Sequence, residues 1–377
     1  MSIVVVRHHM MSLEYLGAGG SEYVTLEAAI ALNKAGFRVY LDSLIGKRII
    51  DKVSLAKYLY RLSQFYGIPV EEIYGIGLGN PYHKDVVFNT SGDVLSGSAD
   101  IIYLHFPPFE KIDSYYPSLK GFEKLAGSIY SYINKALYRI AFKKFRKVIA
   151  NSSITAKLVE KYTGRKPIVI HPPVNTNLFP KKPLPRDLRD DYILVVSRIS
   201  PEKGVQNIPL LAKKLKQLGS ELRIVIAGSL GRYGRRVLGK IYEYSFKYNV
   251  EDKIEIVINP SRRKLTELYC NAMIYLHVTP REHFGISIVE AMAAGTPTVI
   301  PSDSGAWIDV AMLDSSIALS YSSIDEAVKN IMALESNEDL WNRLSQNSFK
   351  RAKCFDRSIF HKKIASIVSE AILEKHK

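Results

Sequence analysis

Short runs of consecutive apolar residues alternate along this chain with longer stretches whose apolar positions recur every three or four residues. Unbroken apolar runs bounded by turn residues suit strands buried on both faces, and the longer spacing suits amphipathic helices. In the first half, strands are predicted at Ile3 to Arg7, Phe37 to Leu41, Asp85 to Phe88, Ile101 to His105, Val148 to Asn151 and Pro167 to His171. Helices are predicted over Glu22 to Ala35, Leu55 to Phe65, Leu125 to Phe145 and Ile154 to Tyr162. A second series places strands at Tyr192 to Ser197, Leu222 to Ala227, Ile254 to Ile258, Met273 to Val278 and Thr298 to Pro301. Its helices fall at Gln206 to Leu218, Val237 to Tyr248, Arg263 to Cys270 and Ile286 to Ala294, and the tail reads as helix over Asp339 to Lys353 and Arg357 to Lys377.

Strands alternating with helices imply parallel sheets covered on both faces. Between the two series, the prolines from Pro172 to Pro185 fix φ repeatedly and predict a stiff, extended connector. The expected architecture is α/β, with two Rossmann-like, doubly wound domains facing a central cleft. The domains are residues 1–178 and 191–356, the linker is 179–190, and the last helix, 357–377, is expected to pack back on the first domain. A length of 377 residues agrees, being more than one ordinary core holds.

Cys270 and Cys354 have neither metal-type nor disulfide-framework spacing, which points to a reducing, cytoplasmic compartment. The start, Met1 to Arg7, lacks a charged segment ahead of its apolar run and reads as the first buried strand rather than a leader. No apolar run approaches the roughly 18 residues of a membrane span. The net charge of +15 calls for a partner. Lys135, Arg139, Lys143, Lys144, Arg146 and Lys147 crowd the segment from Lys111 to Lys166, against Asp113, Glu123 and Glu160 alone among acids. That balance describes either a solvated helix face or a surface for anionic lipid headgroups. Zinc-finger spacing and ribonucleoprotein-type aromatic motifs do not occur, so nucleic acid is not an expected partner.

Three segments carry candidate chemistry. Gly17-Ala18-Gly19-Gly20-Ser21-Glu22 follows the first strand and opens a helix. Such a loop is a plain tight turn or a cradle for anionic oxygens at a helix N-terminus. Arg198 and Lys203, in Ser197-Arg198-Ile199-Ser200-Pro201-Glu202-Lys203-Gly204, project from the end of the second domain's first strand, where two cations can hold a pyrophosphate. Glu282 and Glu290 lie eight positions apart across a strand-to-helix loop, with Phe284, Gly285 and Ile286 at the helix start. On composition they are a capping acid and a surface acid. Together with cations and glycines at equivalent strand ends they suit a nucleotide-sugar. His105 ends an apolar strand and is either structural or exposed to a ligand, and no residue set has metal-ligand spacing.

These motifs, in this order, resemble the family 4 glycosyltransferases of the GT-B fold, which are retaining. Gly17 to Glu22 resembles the family's Gly-Gly-x-Glu loop, Ser197 to Gly204 its Arg-x4-Lys-Gly motif, and Glu282 to Glu290 its Glu-x7-Glu signature. Asn151 to Ala156 and His171 to Asn175 resemble its pre-linker segments. The resemblance implies that Arg198 and Lys203 hold the donor pyrophosphate, Glu290 the ribose and Glu282 the donor sugar. It implies backbone contacts at Phe284, Gly285 and Ile286, a sugar contact for His105, and Gly19 and Gly20 at the junction of donor and acceptor. It implies a nucleotide-sugar donor with no metal or other cofactor, and a glycan or lipid-phosphate-linked acceptor. Arg281 to Ile286 and His105 to Pro108 look most like GDP-mannose-dependent mannosyltransferases of lipid-linked oligosaccharide assembly. A UDP-sugar transferase with a soluble acceptor and a non-catalytic sugar- or nucleic-acid-binding protein are the alternatives.

Overall fold

The structure, a computed structural model, describes residues 1–8, 19–43, 60–61, 63–92, 98–106, 121–231 and 233–375, without the side chains of 123, 130, 131, 134 and 136. His9, Gly17, Ala18, Pro107, Pro108 and most of the predicted helix 55–65 lie outside the described residues. The chain divides into two compact units, Met1–Pro173 with Arg357–Lys377, and Val174–Asp356.

In the first unit, β1 (Ile3–His8), β2 (Arg38–Ser43), β3 (Gly77–Leu78), β4 (Val86–Asn89), β5 (Ile101–Leu104), β6 (Lys147–Ala150) and β7 (Ile168–Val169) form a seven-stranded sheet. Its order is β3-β2-β1-β4-β5-β6-β7 and every pairing is parallel. The apolar runs are continuous because both faces are covered: Val4 to Val6 and Ile101 to Leu104 are fully buried. The helix Gly20–Lys34 follows β1, and the helix Arg357–Lys375 belongs to the same unit. An ionic cluster accompanies the packing of these helices. Arg357 Nε donates to Glu27 Oε2 at 3.0 Å and Nη2 to Glu72 Oε2 at 2.6 Å, while His361 Nε2 lies 2.6 Å from Glu27 Oε2.

The second unit is a six-stranded sheet of β8 (Asp190–Val196), β9 (Arg223–Gly228), β10 (Ile254–Ile258), β11 (Ala272–Leu276), β12 (Thr298–Pro301) and β13 (Leu319–Tyr321). The order β10-β9-β8-β11-β12-β13 is again wholly parallel. Strand order reverses between β1 and β4 in one unit and between β8 and β11 in the other. Those switch points open a crevice at the carboxyl ends of the strands, where ligands bind in such sheets.

Several features differ from the sequence reading, among them the unpredicted edge strand Leu319–Tyr321. Residues 179–190, read as a linker, are part of the second unit: Phe179 is in its core and Arg189 is buried. Prolines stiffened this segment for packing rather than for spanning, since an ideal Cβ on Gly295 would come 2.5 Å from Pro183. Gly77–Leu78, which no predicted strand covers, is an edge strand, and the Tyr40 ring lies 2.6 Å from where a Cβ on Gly77 would be. The unpredicted helix Ile324–Ser336 carries a capping box: Ser323 Oγ accepts from Glu326 N, and Glu326 reaches back to Ser322 N at 2.7 Å. The helix expected over 125–145 runs from Gly121 to Ala141, closing in a turn that buries Phe142 and Phe145.

Candidate functional site

The second unit gathers its chemistry at the β8/β11 switch point. Past β8, the Ser197–Ile199 segment runs beside the loop after β9, with Ile199 N donating to Ser229 O at 2.8 Å and Gly231 N to Ile199 O at 3.0 Å. A Cβ on Gly228 would sit 1.9 Å from the Ser197 carbonyl, so only glycine permits this approach. Arg198 stands exposed on that loop, with no ion pair among the described residues. The chain then makes a single turn, Pro201–Lys203, and leaves it at Gly204 with φ +74°. A Cβ there would lie 3.2 Å from the Val278 carbonyl, which places Lys203 against the segment that follows β11.

Glu282 arrives from that segment. Its backbone is clamped by Gly305 N, which donates to Glu282 O at 2.7 Å, and Gly305 has no room for a side chain because His283 O would lie 1.8 Å from its Cβ. Two cationic or polar nitrogens meet one carboxylate oxygen, Oε2: Lys203 Nζ at 3.4 Å and His277 Nε2 at 3.6 Å. Burial alone would raise the Glu282 carboxyl, but Lys203 and His277, with His283 nearby, hold it well below the ordinary carboxylate range. The carboxylate is therefore ionised throughout the physiological range.

The helix Ile286–Ala293 begins immediately beyond. Gly285 is its N-cap at φ +83°, without a side-chain cap and without an acid in the first turn. An uncapped helix start presents N–H groups and the positive end of the helix dipole to an anionic or polar ligand. Phe284 does not face that ligand space; it is buried, its ring 5.5 Å from that of Phe355. Any ligand contact at this residue falls to its backbone. At the other end, Arg189 donates to the carbonyls of Ala294 and Gly295, each at 3.1 Å, which complements the negative end of the same dipole. Burial lowers the Arg189 guanidinium to about 10, with Cys270 and Tyr192 opposing, and it stays charged.

Glu290 is buried and already engaged. Its Oε1 is 2.6 Å from Arg262 Nη1, and its Oε2 accepts from Tyr269 OH at 2.9 Å. Spacing placed this carboxylate one turn into the helix but gave no sign of these partners. Arg262 opens the helix Arg262–Asn271 at the carboxyl end of β10, behind the Ser261 N-cap, and that cap was the available signal.

The remaining candidates belong to the first unit. Gly19 is the N-cap and Gly20 the first residue of the helix after β1, again without a side-chain cap. His105 follows β5, half-buried, with Nε2 2.8 Å from Thr90 O. A carbonyl only accepts, so Nε2 carries the hydrogen and Nδ1 keeps its lone pair. Burial pushes this imidazole down to about 4, Thr90 opposing, with His8 adding to the depression and Glu22 opposing it. His105 is neutral near pH 7.

The profile of the glycosyl transferases group 1 family matches residues 179–351. The Val174–Asp356 unit belongs to that family. Arg198, Lys203, Glu282, Phe284, Gly285, Ile286 and Glu290 all fall within this group 1 unit, and Gly19, Gly20 and His105 outside it. The chain is 26% identical over 246 residues to a GDP-Man:Man(3)GlcNAc(2)-PP-Dol alpha-1,2-mannosyltransferase of Dictyostelium discoideum, covering 58% of this chain and 48% of that protein. It thus spans about half the length of the curated relatives it matches. Sucrose-phosphate synthase from Thermosynechococcus elongatus aligns with a TM-score of 0.71 at 16% identity, over 99% of this chain and 100% of that one. Anabaena HepE, solved with UDP and glucose, gives a TM-score of 0.71 at 16% identity, over 98% of this chain and 100% of that one. These likenesses show the fold, the two-unit GT-B class.

Proposed function

We propose that this chain is a retaining glycosyltransferase that moves mannose from GDP-mannose to a glycan or lipid-phosphate-linked acceptor at the cytoplasmic face of a membrane. The observation that carries the reading is the group 1 unit's switch point. There the Lys203–Glu282 pair, the cation of Arg198 and an uncapped helix start converge at the ends of β8 and β11. Arg198 and Lys203 meet the donor pyrophosphate and neutralise the charge that grows on it as the bond from the sugar C1 to phosphate breaks. The free oxygen of Glu282 contacts the sugar, and Gly285 and Ile286 offer backbone N–H groups. Glu290, fixed by Arg262 and Tyr269, takes the ribose hydroxyls. The acceptor oxygen bonds to C1 on the face the phosphate leaves, and the departing phosphate takes the acceptor proton. In the first unit, His105 is a neutral hydrogen-bonding group and Gly19 and Gly20 begin an uncapped helix, the features that the resemblance assigns to sugar and acceptor. No metal or other cofactor enters this scheme, because the two cations supply the positive charge.

GDP is favoured by the likeness to mannosyltransferases named for GDP-Man, whereas HepE was solved with UDP and glucose. Thermal unfolding with GDP, UDP, ADP and dTDP separates the donors. A nucleotide at about 100 times its Kd stabilises the folded unit by ~2.7 kcal/mol. GDP is expected to raise the unfolding temperature equally with and without EDTA. A rise with UDP and none with GDP would replace the GDP assignment by the UDP one.

The membrane part rests on the helix Gly121–Ala141. Phe122, Leu125, Ile129, Tyr132, Ile133 and Ile140 lie exposed along one stripe, while Tyr138 on the opposite face is buried. Lys124, Arg139, Lys143 and Lys144 are exposed beside it. Apolar side chains at the acyl boundary with cations at headgroup phosphates are the requirement for an interfacial helix. Among the described residues no helix is long and apolar enough to cross a membrane. Flotation is expected to recover the protein with phosphatidylglycerol-containing vesicles and to lose it as salt rises. Recovery independent of both lipid charge and salt would count against an electrostatic interfacial contact.

A further inference from the structure

The group 1 unit contains a buried polar relay that the donor-binding residues do not account for. His277 follows β11 and is 4% exposed. Its backbone is held on both sides, His277 N donating to Val299 O at 2.9 Å and Tyr321 OH donating to His277 O at 2.7 Å. Its main chain is therefore fixed. Nδ1 is 3.2 Å from Tyr275 OH, and Tyr275 OH is 2.8 Å from Ser287 Oγ, in the first turn of the helix Ile286–Ala293. Nε2 is fully buried without a hydrogen-bond partner and faces Glu282 Oε2 at 3.6 Å.

Proton counting along this relay leaves few arrangements. A neutral ring with its hydrogen on Nδ1 would turn the Nε2 lone pair toward an ionised carboxylate, which is repulsive. A hydrogen on Nε2 instead aims an N–H at Glu282, and the Tyr275 hydroxyl, which donates to Ser287 Oγ, stands 3.2 Å from Nδ1 at the other edge of the ring. Lys203 and His277 then approach the same oxygen, Oε2, and Oε1 makes no hydrogen bond among the described residues.

We propose that His277 is a positioning residue for Glu282, with Tyr275 and Ser287 fixing its ring so that Nε2–H holds Oε2 and leaves Oε1 turned to the ligand. Lys203 is shared between carboxylate and phosphate, and when it engages phosphate His277 keeps the carboxylate in place. This inference rests on the reading of Glu282 as a sugar contact, and its test separates the two.

The variants are His277→Phe, which keeps a ring and removes both nitrogens, and His277→Gln, whose amide N–H reaches the place of Nε2. With GDP-mannose as donor, His277→Phe is expected to lower kcat by about tenfold, through the loss of one N–H aimed at the carboxylate. KM and the affinity for GDP, which lacks the sugar, should change less than about threefold on the same argument. His277→Gln should recover most of kcat. Nitrogen-15 imidazole spectra of the unmodified protein should show a proton on Nε2 that is lost as a signal in His277→Phe and shifted in Glu282→Gln. A kcat in His277→Phe equal to the unmodified enzyme, or a ring protonated on Nδ1 alone, overturns the proposal. If GDP-mannose is not a substrate, the spectra still decide the His277–Glu282 contact, and it is the donor reading that fails.

Discussion

Lys203→Ala is expected to slow transfer from the sugar donor by about 10²- to 10³-fold, the usual effect of removing one preorganised charge from a developing anion. Its Nζ lies 3.4 Å from Glu282 Oε2 and its backbone is set by the Pro201–Lys203 turn, so the cation is held without the entropy of a free surface lysine. The substitution removes the charge proposed to meet the leaving phosphate and also one of the groups depressing the Glu282 carboxyl. The second effect has a definite sign. A carboxylate whose pKa is depressed in the folded state is ionised above its ordinary range, and its favourable contacts are lost as pH falls through the depressed value. Without Lys203 that value rises, so the acidic limb of the rate profile should move to higher pH while the neutral plateau drops. Lys203→Arg keeps charge but not geometry and should fall between. Initial rates with GDP-mannose from pH 4 to 9 measure both effects. A plateau unchanged in Lys203→Ala would remove the lysine from the reaction.

What the sequence discloses about this site divides along a physical line. The strands that frame it are legible because parallel, doubly covered strands must be apolar throughout, as in Ile274 to Leu276 and Ile193 to Val195. The helix start at Gly285 is legible because a left-handed residue there favours glycine. The partners of the two glutamates are not. Arg262 and Tyr269 reach Glu290 from a helix 21 to 28 positions earlier, and no periodicity marks which face of that helix turns inward. His277 lies within the predicted strand Met273 to Val278, where the pattern does not set it apart. Its significance lies in a ring orientation imposed by Tyr275 and in the Glu282 backbone clamp at Gly305, neither of which spacing records. The helix Ile324–Ser336 is a different case: its Ser323-x-x-Glu326 capping box was present in the sequence and sufficient to predict it.

Arg357→Ala is expected to destabilise the first unit by about 3–5 kcal/mol, since breaking a buried ion pair leaves an uncompensated charge. Glu27 is fully buried in the helix Gly20–Lys34, and Arg357 joins it to Glu72 in the short turn Val70–Glu72. His361 also touches Glu27, but it is a weaker substitute because its charge depends on protonation. Burial would raise the Glu72 carboxyl, yet Arg357 and the more exposed Lys34 bring it below the ordinary range. The stability this contributes is complete above the ordinary carboxylate pKa and is lost as pH falls through the depressed one. Arg357→Ala should therefore flatten the acid side of the stability profile as well as lower its maximum. Loss of side-chain packing is the competing explanation, and a double substitution separates the two. Glu27→Leu with Arg357→Met removes both charges and keeps volume, so it should recover most of the loss, because buried pairs replaced by well-packed apolar residues are often neutral or stabilising. Urea unfolding followed by circular dichroism gives the magnitudes, and hydrogen exchange in the helices Gly20–Lys34 and Arg357–Lys375 locates them. If the double variant is as unstable as Arg357→Ala, the join is made by packing and the charges contribute little.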